Sequence, residues 1–492
     1  MLDVTILSAV PRIVNAFVIL GWDKMTSKIF TSIAEMVRSI KERKISPCEI
    51  VDEHLRRVEI MQPKLNAFVH VDAEGARRQA KAAEAALMRG ESTGALHGIP
   101  VTVKSCIDVA GWPCPAGSLL RKDYVASSDA VLVARLRDAG AILIGGTNTP
   151  EFLMAYETNN LVTGKTINPW DLSRSAGGSS GGEAAAIASG CSMGGVGSDG
   201  GGSVRVPAHF CGICALKPTP GRIPSTGHFP RGAGAFAWLG VVGPMARTIA
   251  DVRELFKVIR GADVDDALSS PINVREFSPE SLRGLRVGIL ESDALGVATA
   301  ETNAAVESAA ALLAGENFNI EHLKIEGMEE AIELWWFFFG PMIAHLFSGI
   351  TLGYEAEISP MLREYLSVAR LEVPPTLDEF MSACVERDLV RATILRQLGD
   401  VSILLSPVCS GPAFRHGEGN WQPGAGYRDT MRHSQWLNLA GFPGAVVSMG
   451  FSIEGLPIGV QVIGRPNEDE LVLAVAETLE GLRGELKTPP LL

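Results

Sequence analysis

The stretch Ser175-Ala-Gly-Gly-Ser-Ser-Gly-Gly-Glu183 is the most informative part of this 492-residue chain. A second glycine-flanked serine follows it in Asp199-Gly-Gly-Gly-Ser-Val-Arg205. Because glycine weakens regular secondary structure, a run of glycines marks backbone that another group must approach closely. Glycines that surround hydroxyl groups indicate a nucleophile and a row of backbone N–H donors for an oxyanion. The two stretches therefore predict the catalytic loops of a serine hydrolase.

An upstream lysine is the candidate for the base. Lys104 interrupts the apolar, strand-like run Ile99-Pro-Val-Thr-Val-Lys-Ser-Cys-Ile-Asp-Val109. A lysine inside such a strand is costly to bury in its charged form, and burial lowers its pKa toward that of a useful base. The lysine and the two serine clusters together predict a serine hydrolase that needs no histidine.

Further motifs occur in an order that is typical of one family. They are Gly98-Ile-Pro-Val-Thr-Val-Lys104, Gly146-Thr-Asn-Thr-Pro-Glu-Phe152, Asn168-Pro-Trp170, Cys211-Gly-Ile-Cys-Ala-Leu-Lys-Pro-Thr219 and Pro457-Ile-Gly-Val-Gln-Val-Ile-Gly-Arg465. With the two serine clusters, they make the chain resemble the amidase signature family over most of its length. Glu183 and the Phe210-Cys-Gly-Ile-Cys214 segment make it most similar to the branch that contains fatty acid amide hydrolases and related bacterial amidases.

The resemblance implies a catalytic site and a reaction. It places a Ser–cis-Ser–Lys triad on Ser203, Ser179 and Lys104. We expect the oxyanion to be held by backbone N–H groups around Gly200, Gly201, Gly202 and Ser203. The expected activity is cleavage of carboxylic amides through an acyl-enzyme, extending to anilides, esters or carbamates. The family's mechanism implies no cofactor and no metal.

Two segments are expected to bind the substrate. Leu153 and Met154 align with positions that line the acyl channel in the fatty-acid branch. The aromatic stretch Leu334-Trp-Trp-Phe-Phe-Phe339 is either core packing or a wall of the pocket, and we assign Trp335 and Phe338 to that wall. Substrates with a hydrophobic acyl or aryl group follow from this assignment.

Two alternative functions stay open at this point. Gly178-x-Ser180-x-Gly182 fits the nucleophile elbow of an α/β-hydrolase-type esterase, for which His416 or His433 could supply the histidine. That alternative leaves Lys104 and Ser203 unexplained. The other alternative is the glutaminase (A) subunit of a tRNA-dependent amidotransferase, which would have a small polar pocket for glutamine. Glu183 and the aromatic stretch favour a stand-alone amidase instead.

The alternation of strand and helix patterns predicts the α/β class. Strands are expected within Ile99–Val109 and at residues 141–145, 285–290, 402–407, 444–449 and 458–463, and a helix at residues 183–189. The resemblance adds a single large mixed β-sheet core flanked by helices. We divide the chain into an apolar N-terminal segment or leader (1–25), N-terminal helices packed on the core (26–90) and the catalytic domain (91–485).

Composition limits the partners. The net charge of −12 without a basic cluster argues against nucleic acid, so a small-molecule amide is the expected partner. Eight cysteines scattered over a long chain indicate a reducing compartment, and we expect a cytoplasmic protein. The apolar segment 1–25 keeps peripheral contact with a membrane open, and a homodimer is also left open.

Overall fold

One 11-stranded sheet runs through the computed structural model. The structure describes residue 29 and residues 31–234, 236–371, 373–424 and 426–490, so the predicted segment 1–25 lies outside the described residues. The strands are β1 (Phe68–Val71), β2 (Pro100–Lys104), β3 (Ile142–Thr147), β4 (Gly194–Asp199), β5 (Cys214–Lys217), β6 (Val241–Ala246), β7 (Arg286–Glu291), β8 (Asn319–Lys324), β9 (Val401–Pro407), β10 (Gly444–Phe451) and β11 (Pro457–Gly464).

The sheet is mixed, with the order β1-β3-β2-β4-β6-β5-β10-β11-β9-β7-β8. The neighbours of β2 and those of β7 run parallel to them, and the other pairs are antiparallel. Every residue of β2, β3 and β4 is buried, whereas every residue of β8, at the edge, is partly or fully exposed. The predicted α/β class with a single large mixed sheet is confirmed.

Helices flank the sheet. In chain order they are Ile33–Lys41, Pro47–Leu65, Ala73–Met88, Val131–Asp138, Gly181–Ala188, Arg205–Cys211, Phe236–Leu239, Ile249–Ile259, Pro279–Leu282, Ala300–Gly315, Met328–Phe337, Ile343–Thr351, Pro360–Ala369, Leu377–Gln397, Tyr427–Thr430, Arg432–Ala440 and Asp469–Arg483. A π-helical turn, Phe338–Met342, joins the two helices around it. Arg205–Cys211 and Asp469–Arg483 both pack on β10 and β11.

Local sequence signals explain several of these elements. Ser46 and Glu49 form a complete capping box at the start of Pro47–Leu65, where proline occupies the first turn. The strand predicted within Ile99–Val109 ends at Lys104, because the backbone N–H groups of Cys106 and Ile107 both turn back to the carbonyl of that lysine. The lysine therefore stands at the carboxyl end of its strand.

The N-terminal region does not stand apart from the sheet. Three helices occupy residues 33–88, and β1 between them pairs antiparallel with β3. The predicted division of the chain at residue 90 stays a prediction, since the same sheet extends across it.

Among the residues that the structure describes, one long apolar segment passes the length and composition test for a membrane span. It is Met328–Thr351, with 24 residues and a mean hydropathy of 1.3. Just over half of it, 56%, is buried inside the protein. A mostly buried core helix passes the same test.

Candidate active site

Lys104 lies where three parallel strands end together. β3 and β4 run parallel to β2 on its two sides, so the carboxyl ends of the three strands meet at one edge. The Nζ of Lys104 donates hydrogen bonds to the Oγ of Ser179 at 2.6 Å and to the Oγ of Ser198 at 3.1 Å. The lysine is fully buried, as the sequence predicted, and its amino group contacts the hydroxyl assigned to the relay.

Burial changes the protonation of this lysine. The low-dielectric interior disfavours the ammonium form and lowers the pKa of Lys104 to about 8. The neighbouring Cys106, Asp199 and Glu183 act in the opposite direction, because negative charge near the amine favours its protonated form. A substantial fraction of the amine is therefore neutral in mildly alkaline solution and can accept a proton.

Glycines before Ser179 allow the close packing that positions its hydroxyl. The Gly178–Ser179 peptide bond is cis, and Gly177 has a φ of +80°. A Cβ on Gly178 would lie 2.6 Å from the carbonyl oxygen of Ala155, so a larger residue does not fit. The backbone next to Ser179 is therefore packed closely against the backbone of Ala155.

The loop that carries Ser203 is held from both sides. The indole Nε1 of Trp335 donates to the carbonyl of Gly200 at 2.9 Å, and the hydroxyl of Tyr156 donates to that of Gly201 at 2.6 Å. Gly202 has a φ of +127°, which favours glycine. These contacts fix the backbone around the predicted nucleophile.

One predicted oxyanion donor is already engaged. The backbone N–H of Gly202 donates to Asp199 Oδ1 at 2.7 Å, and the N–H of Val204 donates to Oδ2 at 3.1 Å. The prediction that Gly202 contributes its N–H is therefore corrected, because the Asp199 carboxylate occupies that donor. The backbone N–H groups of Gly200, Gly201 and Ser203 stay the predicted oxyanion donors.

Asp199 and Arg205 form a buried ion pair. Two guanidinium nitrogens of Arg205 donate to the two carboxylate oxygens at 3.0 Å each. Burial alone would raise the pKa of Asp199, but the charge and hydrogen bonds of Arg205 hold it well below its usual range. Arg205 also donates to Gln461 and Asn438, which anchors the nucleophile loop to distant parts of the chain.

Ser180 does not occupy the position of an elbow nucleophile. Its hydroxyl donates to the carbonyl of Ser198 and accepts from the N–H of Ser198, both at 3.3 Å, and it is fully buried. His416 pairs with Glu157 at 2.7 Å, and both ring nitrogens of the buried His433 lack a partner among the described residues. The structure therefore does not assemble the α/β-hydrolase triad.

Glu183 is a buried structural group. It accepts hydrogen bonds from the hydroxyls of Thr102 and Thr147, the latter at 2.7 Å. Burial raises its pKa to about 7. At the start of the helix Gly181–Ala188, the N–H groups of Gly181 and Gly182 donate to Thr158 and Asn148, so these donors serve the protein's own backbone and side chains.

A cavity opens beside these residues and is continuous with the solvent. Its inner wall includes Ser179, Ser198 and Ser203. Leu153 and Met154 line it, as predicted. In the described part of the chain, no group of three or more His, Cys, Asp or Glu side chains could hold a metal ion.

The aromatic stretch reaches the cavity through a different residue from those predicted. Phe339 lines the cavity, whereas Trp335 and Phe338 do not. Trp335 lies behind Phe339, stacked at 4.6 Å between ring centroids, and holds the Gly200 carbonyl. Phe338 points to Trp238 and Phe380 instead. The assignment of Trp335 and Phe338 to the pocket wall is wrong, because packing turns them into the supporting core.

Sequence reasoning missed three groups at this site. Ser198, the second partner of Lys104, directly precedes the quoted Asp199 and could have been found from the pairing of β2 with β4. Ile343 and Leu346 follow the aromatic stretch at helical spacing. The loop 225–232 carried no local signal that would place it on the cavity wall.

The fold and the site together define a hydrolase that acts on C–N amide bonds. The family model described as Amidase matches residues 49–473, and the chain belongs to the amidase signature family. A glutamyl-tRNA(Gln) amidotransferase subunit from Synechococcus sp. (strain CC9902) is 33% identical over 487 residues. That match covers 93% of this chain and 98% of the relative.

Two solved structures show the likeness in three dimensions. A bacterial aryl acylamidase of the amidase signature enzymes superposes with a TM-score of 0.82 at 26% identity, covering 92% of this chain and 96% of its own. A fatty acid amide hydrolase gives a TM-score of 0.85 at 24% identity and covers 94% of this chain and 86% of its own. The second likeness concerns the fold alone.

The first prediction concerns pH. We expect kcat/KM for a neutral amide to rise with pH and to level off above about pH 8, because only the neutral amine of Lys104 can accept a proton. Ser198→Ala removes an acceptor from Nζ and destabilises the ammonium, so its pH profile should move to lower pH. A profile centred at about 4, the range of ordinary carboxyl groups, would contradict this assignment.

The second prediction concerns stability. Asp199→Asn leaves the guanidinium of Arg205 buried without its counter-ion, and we expect a loss of about 3–5 kcal/mol in the free energy of unfolding. Asp52 pairs with Arg77 at 2.7 Å on the surface, and Asp52→Asn is the matched control, with an expected cost below about 1 kcal/mol. Urea unfolding of the three proteins measures the difference, and equal losses would disprove it.

Proposed function

We propose that this protein hydrolyses carboxylic amides with an apolar acyl or aryl group through the triad Lys104, Ser179 and Ser203. The observation that carries the proposal is the short hydrogen bond from the buried lysine to Ser179, at the wall of a cavity that Ser203 also lines. A base, a relay hydroxyl and a second hydroxyl beside a cavity are the parts that acyl transfer needs.

The proton path follows from this arrangement. The neutral amine of Lys104 accepts the proton of Ser179, and Ser179 accepts that of Ser203 as the Ser203 Oγ attacks the carbonyl carbon. N–H groups of Gly200, Gly201 and Ser203 stabilise the oxyanion. The proton returns through Ser179 to the leaving nitrogen, whose bond to carbon breaks. Water then hydrolyses the acyl-enzyme along the same path.

The lining of the cavity supports apolar amides as substrates. Leu153, Met154, Phe339, Ile343 and Leu346 form one side, and Val241 and Val242 contribute another. Burial of apolar surface is the main source of affinity that such a wall offers. Anilides, esters and carbamates with similar groups fall within the same proposal.

The second candidate function is the glutaminase subunit of an amidotransferase. Its support is the 33% identity to proteins of that name. Free glutamine carries an ammonium group, which needs an acidic partner when bound. The carboxylate on the cavity wall is that of Asp199, which is paired with Arg205. The cavity therefore favours apolar amides over glutamine.

The cellular location of the enzyme and its contacts with other molecules stay predictions. All eight cysteines are free, which agrees with a reducing compartment and supports a cytoplasmic location. A homodimer and a contact between residues 1–25 and a membrane surface stay predictions.

The third prediction identifies the nucleophile. Ser203→Ala should abolish covalent labelling by a fluorophosphonate probe, because the attacking oxygen is lost. Ser180→Ala is the matched control and should still be labelled, since its hydroxyl bonds to the backbone of Ser198. Intact mass and peptide mapping measure the adduct. An adduct on Ser180 would establish the elbow hypothesis instead.

The fourth prediction tests the substrate class. For acyl anilides of increasing chain length, kcat/KM should rise up to about fourfold for each added methylene, about 0.8 kcal/mol, until the cavity is full. Met154→Ala should shift the optimum to longer chains. Met88, which is 60% exposed on a surface helix, provides the control Met88→Ala, with no expected shift. Glutamine as the best substrate would support the amidotransferase function.

A further inference from the structure

The polar side chains of the cavity wall are nearly all engaged with the protein. Seven line it, and they are Ser179, Ser198, Asp199, Ser203, Ser225, His228 and Arg231. Ser179 and Ser198 accept from Lys104, and Asp199 is paired with Arg205. The wall therefore has few polar groups left for a ligand.

The loop 225–232 holds two of its own polar groups in place. Ser225 donates to Asp266 at 2.9 Å. His228 has Nδ1 at 2.9 Å from the carbonyl of Pro230, so Nδ1 carries the proton, and its Nε2 lies 3.5 Å from the Sγ of Cys106. Neither side chain is free to bind a substrate group without losing a partner.

Two of these seven polar side chains differ from the rest. In the described part of the chain, neither the hydroxyl of Ser203 nor the guanidinium of Arg231 has a hydrogen bond or ion-pair partner. Ser203 is the proposed nucleophile. Arg231 is exposed, whereas Ser179 is 1% exposed, so the arginine lies at the outer end of the cavity and the triad at the inner end.

We propose that the preferred substrates carry a carboxylate at the end remote from the reacting amide, and that Arg231 binds this carboxylate. The inference rests on the proposed amidase function and specifies its substrate class. Such a molecule has an amide next to Ser203, an apolar middle against Leu153, Met154 and Phe339, and an anionic end at the rim.

The physical argument is complementarity along the cavity. A guanidinium can bind a carboxylate through two parallel hydrogen bonds, which are stronger than neutral ones. At the exposed rim, the carboxylate keeps part of its hydration, so its desolvation cost is small. A carboxylate deeper in the cavity would meet apolar side chains, hydroxyl groups that are mostly engaged with the protein, and the negatively charged Asp199. The site therefore selects both the charge and the length of the substrate.

Backbone hydrogen bonds hold the residues that precede Arg231 in its loop. The N–H of Phe229 donates to the carbonyl of Cys106 at 2.8 Å, and the N–H of His228 donates to that of Ser225 at 2.9 Å. The guanidinium of Arg121 lies 3.9 Å from the ring centroid of Phe229. A backbone fixed in this way loses little conformational entropy when a ligand binds.

The fifth prediction compares matched substrates. We would assay 4-nitroanilides of ω-carboxy acyl chains beside methyl-terminated chains of the same length, over a range of lengths. The parent enzyme should prefer the carboxylated member at one best length, by about tenfold in kcat/KM and mainly through a lower KM. High salt should reduce this preference, because it screens an exposed charge pair.

Variants assign the effect to one side chain. Arg231→Ala should lose the tenfold preference, with a smaller loss on the methyl-terminated substrates. Arg231→Lys should keep part of it, because the charge remains without the bidentate fork. Arg283, exposed and outside the cavity wall, provides the control Arg283→Ala, which should behave like the parent.

A binding measurement separates this inference from the proposed function. Calorimetry with Ser203→Ala and the same two anilides needs no turnover. Tighter binding of the carboxylated anilide, lost in the double variant with Arg231→Ala, would support the inference even if the parent cleaved neither compound. Equal affinity for both anilides at every chain length, or a preference that survives Arg231→Ala, would overturn it.

Discussion

The burial of one amino group is the constraint on which this site depends. Lys104 is completely removed from solvent at the end of β2, where an ammonium ion is poorly solvated. Its hydrogen bonds to Ser179 and Ser198 replace the water that it would otherwise contact. That exchange requires β3 and β4 on either side and a cover of helices, so the protonation of one side chain depends on a sheet whose strands come from residues 68–464.

A second buried charge organises the loop of the proposed nucleophile. The carboxylate of Asp199 binds two backbone N–H groups and the guanidinium of Arg205 at once. Asn438 donates to the same carboxylate, and Gln461 accepts from the same guanidinium, which links this loop to the C-terminal part of the sheet. The geometry around Ser203 is therefore maintained by residues that are hundreds of positions away.

Some aromatic residues near the cavity hold the glycine loop in place, and others line the cavity itself. Trp335 and Tyr156 donate hydrogen bonds to carbonyl groups of the glycine loop, and Phe339 lines the cavity. The loop 225–232, which includes Arg231, contributes to another part of the cavity wall. The proposed catalytic residues lie in the family's motifs, whereas most of the other residues that line the cavity lie outside them. A fold does not by itself fix the substrate, because function depends on the residues of the site.

The sequence by itself determined the α/β class, the strand that carries Lys104 and its neighbour β3, and the serine and glycine loops, because these depend on local patterns of apolar, glycine and hydroxyl residues. It also indicated Leu153 and Met154, which line the cavity. The order of the strands, the role of Ser198, the engagement of the Gly202 N–H by Asp199 and the replacement of Trp335 and Phe338 by Phe339 were decided only by the tertiary structure. Each of these depends on which groups come together in the folded protein. A hydrogen bond or a ring contact between segments that are far apart in the chain produces no recognisable pattern in the sequence.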